Sequence, residues 1–75
     1  MKYLNFSVVI EEDKNGFFAF CPELQGCYTQ GNSYEAAMDN VKDAIRLHVK
    51  DRLADRKEKL ERPISISLST VEVAV

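Results

Sequence analysis

Seventy-five residues make one small domain, and 45% apolar with 29% charged residues exclude a disordered tail. The net charge of −2 lacks the basic excess that a DNA- or RNA-binding domain usually shows. A chain of this size buries only about 60% of its unfolded surface, so it is expected to lean on self-association, a partner or a well-filled helix-on-sheet layer.

Leu4, Phe6, Val8 and Ile10 alternate with Asn5, Ser7 and Val9, a period of two that predicts a half-buried strand. Glu11-Glu12-Asp13-Lys14-Asn15-Gly16 is polar and ends in Asn-Gly, the signal of a hairpin turn. Phe17-Phe18-Ala19-Phe20-Cys21 forms the return strand, and Pro22 stops it by removing a ladder donor. After a loop over Glu23–Gly26, Cys27–Gln30 reads as a short third strand closed by Gly31. Asn32 or Ser33 then caps an amphipathic helix over 34–54, with Glu35 in the first turn and Ala37, Val41, Ala44, Ile45 and His48 on one face.

Residues 55–62 are polar, and both a solvated helical extension and a linker fit them. Pro63 ends that stretch. Ile64, Ile66 and Leu68 alternate with serines, and Val71, Val73 and Val75 carry a second apolar period one residue out of phase. One or two C-terminal strands over 64–75 are expected. The whole chain 1–75 is thus a single α+β domain of order β-β-β-α-β, with one helix packed on a mixed sheet. A right-handed crossover would set the last strand parallel to the first and beside it.

That order is similar to a truncated RNase H-like fold, whose chemistry needs carboxylates converging on two metal ions. Strand one has no acid before Glu11, strand four offers serines, and Asp39 and Asp43 fall on the solvent side of the helix. Metal-dependent cleavage is therefore not expected. Cys21 and Cys27 come with one histidine, His48, and no Cys-x-x-Cys, which is too few ligands for a zinc site. Buried thiols and a packed histidine are the expectation, so neither a catalytic pair nor a cofactor is assigned.

Surface chemistry is more informative. Residues 1–49 hold four Lys/Arg against seven Asp/Glu, while 50–62 hold six against four. The acidic hairpin Glu11, Glu12 and Asp13, with Phe17 beside it, is a candidate surface for a basic partner. Arg52, Arg56 and Lys59 share a helical stripe that could touch nucleic acid, but interleaved acids favour a solvated helix end. Phe17 faces opposite to Phe18 and Phe20, and one helix hides one sheet face, so the other face needs a second cover. Together with the C-terminal apolar strands, this predicts a homo-oligomer through an edge strand or the open sheet face.

Gly16-Phe17-Phe18-Ala19, then Cys21-Pro22-Glu23-Leu24-Gln25-Gly26-Cys27-Tyr28-Thr29-Gln30-Gly31, then Glu35-Ala36-Ala37 and Asn40-Val41-Lys42-Asp43-Ala44-Ile45 resemble the HicB-type antitoxin core over residues 3–50. The resemblance implies a partial RNase H fold, usually without nuclease activity. It also implies a partner, a small basic HicA-type mRNA interferase whose active site the antitoxin covers. Family members often carry a C-terminal DNA-binding module, whereas here a strand-like tail follows residue 62, so promoter binding by this chain alone is not expected. The alternatives are a small nucleic-acid-binding module and an orphan oligomer of the same fold. No membrane segment and no export h-region are read in the sequence, and a cytoplasmic location is expected.

Overall fold

The computed structural model describes residues 3–54, 63 and 65–75. Three strands, β1 (Val9–Asp13), β2 (Gly16–Phe20) and β3 (Tyr28–Gly31), precede one helix, α1 (Tyr34–Ala54). The strands form an antiparallel sheet in the order β1-β2-β3, and α1 lies across one face.

The hairpin is tighter than the sequence predicts. Asp13 pairs with Gly16, which leaves Lys14 and Asn15 as the connection. The Asn15 N–H donates to Asp13 Oδ1 at 2.7 Å, an Asx turn. The positive φ of 134° falls on Gly16, where no Cβ opposes it. The first strand also starts later and ends later than its alternation suggests. β2 stops at Phe20, ahead of Pro22, so the ladder begins at Val9 opposite Phe20 and residues 3–8 lie outside it.

The core has two parts. Ala19, Ala37 and Val41 are buried together, with Val8, Ile10, Phe17, Met38 and Ile45 packed around them. Cys21, Leu24 and Cys27 form the second part, with Phe6, Ala44, Ile45 and Val49 around it. Ile45 joins the two. The small residues at the first centre let helix and sheet approach closely. Ser33 begins the helix: its Oγ accepts from the Ala36 N–H at 3.0 Å, and its carbonyl from the Ala37 N–H at 3.0 Å. Asn40 Nδ2 donates to the Gln30 carbonyl at 2.8 Å and ties the second turn to β3.

Among the described residues, the strands expected over 64–75 are not formed. Residues 65–75 join no ladder and are exposed throughout, and Ile64 lies outside the described residues. An alternating pattern specifies an apolar face but not the edge it joins. Among the described residues the sheet is therefore three-stranded and antiparallel, not mixed. The polar stretch 55–62 lies outside the described residues.

Gly31 has an ordinary φ, and its glycine character answers a steric demand. A Cβ there would sit 2.5 Å from the Ala37 nitrogen and 2.9 Å from the Ala36 carbonyl carbon. Both are helix backbone that cannot step aside alone. Gly31→Ala is expected to destabilise the fold by about 1–3 kcal/mol, read as a lower urea midpoint at unchanged slope.

Candidate functional site

Two surfaces follow from the asymmetry of a helix on one side of a sheet. Cα-paired residues share a face. Ile10, Ala19 and Thr29 thus line the helix side, as do Glu12, Phe17 and Gly31. Val9, Phe20 and Tyr28 line the opposite side, followed by Glu11, Phe18 and Gln30. Among the described residues no element covers this second side. Its centre is aromatic: the rings of Phe20 and Tyr28 stand 6.1 Å apart, tilted by 38°, and Tyr28 is 73% exposed.

The predicted hairpin residues therefore divide. Glu11 and Asp13 stand on the open face beside Phe18, while Glu12 and Phe17 stand opposite each other on the helix side. Glu11, Glu12 and Asp13 are exposed, and Asp13 also holds the turn. Phe17 is half-buried against the Ala19–Ala37–Val41 cluster. Phe20 and Tyr28 carry the open face with Phe18. The strand phase alone sets Phe18 and Phe20 apart from Phe17; placing Tyr28 with them takes the β2–β3 register.

Of the basic stripe, Arg52 is half-buried and its Nη2 donates to the Gln25 carbonyl at 3.5 Å. It braces the loop between Cys21 and Cys27 from the last turn of α1. Arg56 and Lys59 lie outside the described residues. Along the helix, Arg46 Nη1 pairs with Asp43 Oδ1 at 3.1 Å on an exposed face, where such pairs contribute little.

The cysteine loop is a structural plug. Cys21 and Cys27 are both buried and no disulfide links them. The Cys21 N–H donates to the Cys27 carbonyl at 3.1 Å, and the Leu24 N–H to the Cys21 carbonyl at 3.1 Å. These bonds fold the loop so that Leu24, 1% exposed, drops into the core. Glu23 Oε1 accepts from the Ser7 N–H and fastens the loop to the segment before β1. Burial lifts the Cys27 thiol above its ordinary range; Cys21 adds to the lift and Arg52 draws it partly back. Such a thiol is a poor nucleophile at neutral pH. His48 is half-buried on α1.

The second surface is a groove between α1 and residues 3–8, the segment that precedes β1. α1 leans over β3 and β2 and touches β1 least. The space left open is a cavity of about 280 Å³ lined by Leu4, Phe6, Val8, Met38 and Val41, among others. A second cavity of about 620 Å³ shares Leu4, Phe6, Lys42 and Ile45 with it and runs on to Val49 and Lys50. Lys42, Arg46 and Lys50 edge the groove one helical turn apart. Among the described residues no three of His, Cys, Asp and Glu gather to hold a metal ion. No described helix is long and apolar enough to cross a membrane.

A three-stranded antiparallel sheet with one helix seated across it, an uncovered aromatic face and buried thiols marks a surface-presenting protein. Residues 6–73 match the family model described as the HicB-like antitoxin of bacterial toxin–antitoxin systems. The chain belongs to that family. It is 46% identical over 68 residues to a UPF0150 protein of Helicobacter pylori, covering 91% of this chain and 93% of the relative. A UPF0150 protein of Archaeoglobus fulgidus is 35% identical over 71 residues, covering 93% and 96% of the two chains. One from Synechocystis is 34% identical over 68 residues, covering 83% and 86%. No solved structure matches the chain significantly. The family is an antitoxin family, which suggests a non-enzymatic role and a toxin partner of some kind.

Because alkylation requires the thiolate, the lifted Cys27 should react with iodoacetamide more slowly than a free cysteine at pH 7–8. Its rate should climb at higher pH than the free thiol's, until denaturant abolishes the difference; mass-spectrometric labelling of the native protein checks this.

Proposed function

We propose that this chain is a cytoplasmic binding protein that neutralises a small basic mRNA interferase of the HicA type by lying over its active site, without turning over a substrate. The observation that carries the reading is the uncovered sheet face, in a chain whose family is an antitoxin family. Phe18, Phe20 and Tyr28 supply aromatic area at its centre, and Glu11 and Asp13 supply acid at its hairpin end. Aromatic anchors in the middle of a patch are the side chains that dominate interface energies. The acids, with Glu12 behind them and the acidic balance of residues 1–49, raise the rate at which a basic protein arrives. Phe17 acts from the helix side, holding β2 at the distance from α1 that presents Phe18 and Phe20 outward.

The same reading makes the protein a homo-oligomer. Its exposed apolar tail supports that, since a small domain with uncovered apolar surface gains stability by pairing.

Co-expression with a HicA-type mRNA interferase tests the toxin reading. The wild-type chain should restore growth and co-purify with the interferase. Phe20→Asp is expected to weaken the complex about tenfold to a hundredfold, with an unchanged circular-dichroism spectrum. Glu11→Lys should slow association, most at low salt. Lack of rescue together with lack of co-purification would sink the reading.

A further inference from the structure

The β2–β3 ladder continues one rung past its strands. Its register runs a residue at a time from Phe17 opposite Gly31 to Phe20 opposite Tyr28, so the next pair outward is Cys21 opposite Cys27. The Cys21 N–H donates to the Cys27 carbonyl at 3.1 Å, which sets this pair at a hydrogen-bonded position of the ladder. Strand alternation turns both side chains away from the Phe20–Tyr28 face. Both are buried in one cluster with Leu24, against Ala44, Ile45 and Val49. Opposite residues at such a position have Cα atoms about 5.5 Å apart. A disulfide spans about 4.4–6.8 Å between Cα atoms.

We infer that Cys21 and Cys27 are a reversible dithiol–disulfide pair, a covalent latch on the end of the ladder that carries Phe20 and Tyr28. The loop between them, Pro22–Gly26, is already folded for the bond. The Leu24 N–H donates to the Cys21 carbonyl at 3.1 Å and the Cys27 N–H to the Leu24 carbonyl at 3.3 Å, while Gly26 takes the turn at a φ of 81°. The fold thus holds the two ends of the loop together before any bond forms, and the entropy of closing the ring is already spent.

The chemistry takes a low-molecular-weight disulfide, such as oxidised glutathione, as its oxidant. One cysteine, as the thiolate, attacks a sulfur of that disulfide; a mixed disulfide forms and a small thiol leaves. The other cysteine then attacks the protein sulfur of the mixed disulfide, the Cys21–Cys27 bond forms and a second small thiol leaves. Two electrons pass from the cysteine pair to the oxidant, and the two cysteine protons go to the departing thiols. An excess of small thiol runs the same steps backward. Geometry favours that return. Directly opposite Cβ atoms stand about 4.5–5.5 Å apart, whereas a disulfide wants about 3.5–4.5 Å, so the bond draws the strand ends together and is held under tension. Strained disulfides are the readily reduced ones, which suits a latch in a reducing compartment. Burial sets the rate, because Leu24 must lift before an oxidant reaches either sulfur. The inference needs neither a toxin nor a second copy.

The test uses the full chain under native conditions. Incubated with oxidised glutathione, the chain should lose the mass of two hydrogens. Cleavage after Glu23 by a glutamate-specific protease, without reductant, should leave the Cys21 and Cys27 peptides joined. The melting temperature should rise by roughly 5–15 °C over the reduced chain, amide exchange should slow at Phe20 and Tyr28, and dithiothreitol should reverse both changes. Cys21→Ala and Cys27→Ala should each abolish the thermal shift; where a variant fails to fold, the oxidised and reduced forms of the unmutated chain carry the comparison. A product that stops at glutathione on one or both thiols overturns the latch, as does a bond between two chains. So does a Cys21–Cys27 bond that forms only in denaturant, or one that leaves the melting temperature unchanged or lower.

Discussion

The close seating of one helix on a small sheet governs everything else in this chain. Gly31 and Ala37 meet where β3 turns into α1, and a single methyl group on Gly31 would collide with helix backbone. Ala19 and Val41 continue the narrow contact along the helix. With so few residues, the core gains density by drawing backbone close, because large side chains would need more surrounding layers than 75 residues provide. The helix is pinned at its β3 end by Ser33 and Asn40, and at its far end by Arg52 on the cysteine loop. Pinned there, it touches β1 least of the three strands.

That tilt divides the labour of the surface. The helix side is closed over the sheet and more open toward residues 3–8, which makes a groove. The other side has nothing over it among the described residues, which makes a platform. Phe17 and Phe18 are neighbours in sequence and belong to different tasks: one ring packs under the helix, and the next faces outward. The cysteine loop belongs to the closed region. Its thiols sit buried beside Leu24, and burial disfavours charge on the Cys27 sulfur.

Much of this is legible in the residues. The change of period at Gly31 separates sheet from helix, and the helix runs over Tyr34–Ala54 as its apolar spacing implies. Alternation along the second strand is enough to part Phe17 from Phe18 and Phe20. The membership in a HicB-like antitoxin family follows the order of motifs from Gly16 to Ile45. Strand ends are less legible, because a strand lasts only as long as its partner: Pro22 shortens β2, and that moves the start of the ladder from Leu4 to Val9. Gly31 reads in the sequence only as the close of the third strand, yet its demand is for space, which depends on where a helix six residues away comes to rest.

The C-terminal segment shows where reading by pattern reaches its limit. Alternation of Val71, Val73 and Val75 states that one face wants burial, and it is silent about whose edge provides it. Within one chain, the strand would have to return past the helix to the β1 edge, and the structure leaves it outside instead. Exposed apolar side chains in a row are costly in isolation, so Leu68, Val71 and Val73 mark a face that wants a cover.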